Sequence, residues 1–132
     1  MVAHIFGEVI LGDQPLTPVE VERQIRETTE RLERGVEIVR ERNRILKDCE
    51  RLLKREKAMV YMQHRSNGLS IKDADAQTVI DTDPAHNERD QAEVAYWYAR
   101  DLMVQLQNKL SALQTQAAGL RTAYPLAGRG LP

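Results

Sequence analysis

The sequence predicts an all-α chain: two long helices folded into an antiparallel, coiled-coil-like hairpin that associates further into a helical bundle or ring. Three observations carry this. Gly35 is the only glycine or proline between Pro18 and Asn67, and Gly119 the only one between Pro84 and Pro125. Within those stretches apolar residues recur every seven positions, the spacing of helices packed along their length. Neither stretch alternates apolar and polar residues as a half-buried strand does.

Residues 1–17 form an apolar segment that reads equally as a strand or as a strap along the hairpin. Its longest apolar run, from Val2 to Leu11, is broken by His4, Gly7 and Glu8 and has no basic leader. No signal peptide or membrane span is therefore expected. Helix 1 is expected over 18–65. Thr17-Pro18-Val19-Glu20 has the form of a capping box with proline at the first helical position, and Leu16 and Val21 are spaced as a hydrophobic staple. Ile25, Leu32, Val39, Leu46, Leu53 and Val60 then recur without a miss. Ser66-Asn67-Gly68 is its stop signal.

An acidic connector follows over 66–83. Ser70-Ile71-Lys72-Asp73 resembles another capping box, so a short helix near 71–77 is expected. Asp83-Pro84 opens helix 2, expected over 84–124 and ended by Tyr124-Pro125. Its seam, Ala92, Tyr96, Ala99, Met103, Leu106, Leu110, Leu113, Ala117, Leu120 and Tyr124, steps four and three throughout. Residues 125–132 read as a flexible tail.

The first helix carries a second apolar series, Ile38, Ile45, Leu52 and Met59, beside the first. Together the two columns are wider than one partner helix covers. These four residues are accordingly expected to bury against another copy of the chain, making a homo-oligomer; the alternative is that the N-terminal apolar segment or the connector covers them. Almost directly opposite, Arg40, Arg44, Lys47, Arg51 and Lys54 step four, three, four, three and form one basic stripe. Between Arg40 and Lys57 eight basic residues stand against four acidic ones, a local net of +4. Such a ladder has the spacing to follow a phosphate backbone. The same charges also suit a solvated face laced with pairs such as Asp48–Arg51 and Glu50–Lys54.

The whole chain gives no such bias, because 19 Lys+Arg and 20 Asp+Glu leave a net charge of −1 over 132 residues. The acids concentrate downstream: Asp73, Asp75, Asp81, Asp83, Glu88, Asp90 and Glu93 face only Lys72 and Arg89. Counted from Asp73, a calcium loop would place Thr78 at its glycine position and Pro84 at its closing glutamate, so that motif fails. These acids read as caps, turn formers and ion-pair partners.

Chemistry-bearing residues are sparse. His4, His64 and His86 are scattered, and none stands with Cys49 in metal-ligand spacing. Cys49, the only cysteine, reads as a small thiol on the flank of the apolar face and fits a reducing cytoplasm. Trp97, beside Tyr98, points away from the seam, where it suits either a packing surface or a stacked base. No metal, cofactor or catalytic residue is expected, and the chain does not read as an enzyme.

One stretch resembles a known group. Gly68-Leu69-Ser70-Ile71-Lys72-Asp73-Ala74-Asp75-Ala76 is followed by Tyr96-Trp97-Tyr98-Ala99-Arg100, then by Leu110-Ser111-Ala112-Leu113-Gln114 and Arg121. This is similar to the small helical proteins that tailed bacteriophages encode near their recombination and replication genes. The resemblance spans 54 of 132 residues. Its best-understood relatives by analogy are phage recombination mediators. It implies a non-enzymatic, oligomeric accessory in the host cytoplasm that binds single-stranded DNA and a recombinase or another phage or host protein. The basic ladder would then contact phosphates. The alternative is a protein–protein adaptor or scaffold in virion assembly or host takeover, working through the Ile38 column or the acidic connector.

Overall fold

A computed structural model describes residues 17–129 of the chain. Leu16 and the expected strap or strand, together with the last three residues of the tail, lie outside the described residues. Three helices account for nearly all of the rest: α1 (Pro18–Ser66), α2 (Ile71–Asp81) and α3 (Asp83–Arg129), with no strand among the described residues.

The ends of α1 are set by local chemistry. At its start the Thr17 hydroxyl accepts from the Glu20 amide at 3.2 Å, and the Thr17 carbonyl accepts from Val21 N–H at 3.0 Å. Glu20 is turned forward along the helix, where it accepts from both Arg23 and Gln24. The bond from Arg23, reinforced by Gln24, holds its carboxyl down to about 2. At the other end Gly68 has φ +92°, a left-handed conformation that strains a residue bearing Cβ. With it in place, Gly68 N–H donates to Arg65 O and Leu69 N–H to His64 O, at 3.0 and 3.1 Å, closing a Schellman motif.

The chain turns at once into α2. The Ser70 hydroxyl caps it, accepting from Asp73 N–H at 3.1 Å. α2 runs on to Asp81, past the short helix expected near 71–77. Thr78, within this extension, and Thr82, which caps it, are buried, and each hydroxyl donates to the carbonyl four residues back at 2.7 Å, so neither is left unsatisfied. Thr82 also stands directly before α3, its carbonyl accepting from His86 N–H, one residue ahead of the cap expected at Asp83. At the far end α3 passes the expected stop at Pro125 and continues to Arg129. A proline φ is itself helical, but the ring removes one backbone bond and crowds the carbonyl four residues back, so the turn that follows is weakened rather than abolished.

The described chain divides into two compact units, one made of residues 17–32 with 105–129 and the other of residues 33–104. In the first, Val21, Thr28 and Leu113 are buried. Pro18, Ile25, Ala117 and Leu120 line a groove of about 340 Å³ there. In the second, Leu46 and Leu53 of α1 and Ala92 and Ala99 of α3 form the core with Ala74 of α2. Contacts between α1 and α3 in this unit fall in descending order along α3: Gly35 with Met103, Arg42 with Ala95, Glu50 with Arg89. Gly35 marks a close approach of the two helices, since a Cβ built there would overlap Met103 Sδ.

Candidate functional site

The two sequence-marked surfaces of α1 both fall within the 33–104 unit. A continuous helix stacks residues three and four apart on one side, so Arg40, Arg44, Lys47, Arg51 and Lys54 share one exposed stripe. The stripe is not bare positive charge. Glu37 accepts from Arg40 at 2.9 Å, Glu41 and Asp48 flank Arg44 at 2.5 and 3.1 Å, and Asp48 also takes Arg51. Lys47 lies 3.4 Å from Glu50, which also receives Arg89 from α3 rather than Lys54. Lys54 alone of the five has no ion pair among the described residues. Bonding to Arg44 holds the Glu41 carboxyl below its usual range, and the same bond raises the guanidinium. Alternating signs of this kind largely cancel the ladder's field beyond a Debye length, although each exposed pair is weak enough for a competing anion to open.

The second surface is apolar. Leu46 and Leu53 are 6% and 8% exposed, whereas Ile38, Ile45, Leu52 and Met59, one residue before each seam position, are 48%, 42%, 62% and 60% exposed. One step round the helix therefore separates core from surface without any change in side-chain chemistry. Met62, 68% exposed, prolongs the surface beyond Met59. The seven-residue pattern omits it, and its spacing of three from Met59 is the signal in the sequence that points to it. Beside the column lies a groove of about 660 Å³, lined by Cys49, Leu52, Met59, Val60 and Met62 of α1 and Ala85 of α3. Cys49 is half-buried at its edge.

Charged and aromatic groups elsewhere in the unit tie elements together. His64 Nε2 meets Asp81 at 2.6 Å, joining the end of α1 to the end of α2, and Gln77 donates to the other oxygen of Asp81 at 3.0 Å. These two bonds hold the Asp81 carboxyl below its usual range. Arg89 gathers Glu50, Asp90 and Glu93. Asp81, Asp90 and Glu93 of the acidic segment thus serve as ion-pair partners. On α3, Trp97 is half exposed and packs edge-on to Tyr96 at 5.3 Å, with the Arg100 guanidinium over its ring at 5.1 Å.

Among the described residues no group of three or more His, Cys, Asp or Glu side chains gathers to hold a metal ion. Among the same residues, no helix is long and apolar enough to cross a membrane. No protein-family model, curated protein or solved structure matches the chain.

Proposed function

We propose that the protein is a non-catalytic, self-associating helical scaffold or adaptor whose working surface is the Ile38–Ile45–Leu52–Met59 column. α1 and α3 pair in this reading as a long antiparallel hairpin, and the column joins hairpins into a bundle. One observation carries it: four large apolar side chains stay 42–62% exposed on a helix whose neighbouring column is packed. Burying what each leaves in water is worth about 1 kcal/mol, roughly half of full burial. Two copies together would contribute about 8 kcal/mol before the cost of association.

A second reading is favoured by the exposure of all five ladder residues. Arg40, Arg44, Lys47, Arg51 and Lys54 would then follow single-stranded DNA. This accords with the resemblance to phage recombination accessories, acting with a recombinase in the host cytoplasm. The acids interleaved with the ladder place this reading second.

Light scattering across micromolar to hundred-micromolar concentrations tests the first reading. Wild-type protein is expected to gain mass with concentration, and Ile45→Asp with Leu52→Asp is expected to remain monomeric with its helix content intact. A monomeric mass for the wild type throughout would refute it. The second is tested by titrating a labelled single-stranded oligonucleotide at two salt concentrations. Arg44→Gln with Arg51→Gln is expected to lower the salt slope by about 1.4, some 0.7 for each phosphate no longer neutralised.

A further inference from the structure

We infer that the apolar segment of residues 2–11 folds back and docks in the groove that Pro18 and Ile25 of α1 form with Ala117 and Leu120 of α3. The segment lies outside the described residues, and the inference is independent of the Ile38 column.

The groove opens where this segment joins the fold. It has a volume of about 340 Å³, and its four apolar wall residues are only half-buried. Thr17 caps α1, so the segment is attached at the residue before Pro18, at one end of the wall. From Pro18 to Ile25 the wall extends about 10 Å along the helix. The six steps from Leu11 to Thr17 reach at most about 20 Å. Leu11 and the residues before it can therefore be placed anywhere along the wall.

Docking there requires the chain to reverse direction ahead of α1, and the sequence supplies the means. Gly12-Asp13-Gln14-Pro15 holds three turn-forming residues, each for its own reason: glycine for left-handed backbone, aspartate for bonding its own main chain, proline for a preset φ. Leu16 and Val21 have the spacing of a hydrophobic staple, which draws the residue before the cap against the first turns of the helix. Val21 is 0% exposed, and it stands three residues after Pro18 and four before Ile25, on the side of α1 that forms the wall. The staple thus directs the entering chain toward the groove.

Composition and tethering select the occupant. Six of the ten residues over 2–11 are Val, Ile, Leu or Phe. At the other end of the chain Gly130-Leu131-Pro132 offers one large apolar side chain. A second copy brings the same apolar segment, but only at its own solution concentration. A short tether holds the chain's own segment at an effective concentration on the order of millimolar, so at micromolar protein the intramolecular contact prevails.

Cross-linking within the full chain tests this. In a Cys49→Ser background, Ile10→Cys is combined either with Ala117→Cys on the wall or with Thr115→Cys. Thr115 is exposed and, two residues earlier, stands on the opposite side of α3. At micromolar protein a short bis-maleimide is expected to join the 117 pair within one chain at least about tenfold faster than the 115 pair. Equal rates for the two pairs overturn the docking. A product of twice the mass places the segment in another copy's groove and overturns the assignment to its own. Hydrogen exchange reads the same contact without new cysteines. Val9→Ser with Ile10→Ser is expected to speed amide exchange over 117–121 roughly tenfold and to leave 46–53 unchanged. Unchanged exchange over 117–121 overturns the inference as well.

Discussion

Two glycines inside the long helices should answer the same substitution in opposite ways. An interior helical glycine costs about 0.8–1 kcal/mol relative to alanine. At Gly119 nothing lies within 4 Å of where a Cβ would stand, so Gly119→Ala should recover that amount in full. At Gly35 the new methyl would overlap Met103 Sδ and press on its Cε at 3.3 Å. Methionine bends readily, but forcing a methyl into a packed contact costs about 1–3 kcal/mol, so Gly35→Ala should end between neutral and about 2 kcal/mol destabilising. The cause is isolated by a cycle with Met103→Ala. Once Met103 is truncated the overlap is gone, and Gly35→Ala should become stabilising by about 1 kcal/mol. Urea unfolding followed by circular dichroism, with thermal melts in parallel, measures all four corners. If Gly35→Ala has the same effect with and without Met103, the two helices do not meet at this point and the proposed packing is wrong. If Gly119→Ala fails to stabilise, position 119 is packed rather than open.

Further outcomes follow from the caps and the core. Gly68→Ala should destabilise by about 1–2 kcal/mol purely through its left-handed backbone, because open space surrounds the site; Gly68→Asn should lose less. Leu53→Ala, removing a buried core side chain, should cost about 2–5 kcal/mol in denaturant, and Leu52→Ala, one residue away and exposed, far less. Asp81 is held below its usual range by His64 and Gln77, so its contribution is present above the unfolded carboxylate value and lost as pH falls through the folded one. His64→Ala should move the Asp81 titration, followed by carboxyl NMR, back up toward 3.8 and flatten the acid limb of the stability curve.

The seven-residue columns make the helices legible because burial in a long helix is a matter of angle, and angle is set by counting. Leu46, Leu53, Ala92 and Ala99 can be picked out as core positions by spacing alone. What stays hidden in the sequence depends on which residue sits across the gap. Gly35 reads as a mild helix breaker until Met103 is found against it. His64 and Asp81, seventeen residues apart, carry no local pattern that joins them. Pro125 reads as a stop, yet α3 runs past it to Arg129. The ladder is legible as a stripe, but its neutralisation depends on rotamers: Glu50 turns to Lys47 and Arg89 instead of Lys54.

The contrast between the two faces is what ranks the functional readings. A helix of 49 residues has a large surface that no second helix touches, and that surface must support itself. Alternating acids and bases three and four apart do this, adding short-range attraction to every exposed turn. Arg40, Arg44, Lys47 and Arg51 thus have a sufficient reason to be present in the folded chain by itself, with Glu37, Glu41, Asp48 and Glu50 as their partners. The column has no such reason. Leu52 or Met59 replaced by lysine or glutamate would keep the helix, improve its hydration and leave the adjacent core unchanged. Apolar side chains at four successive repeats that stay 42–62% exposed among the described residues are what the self-association reading accounts for and the ladder reading does not.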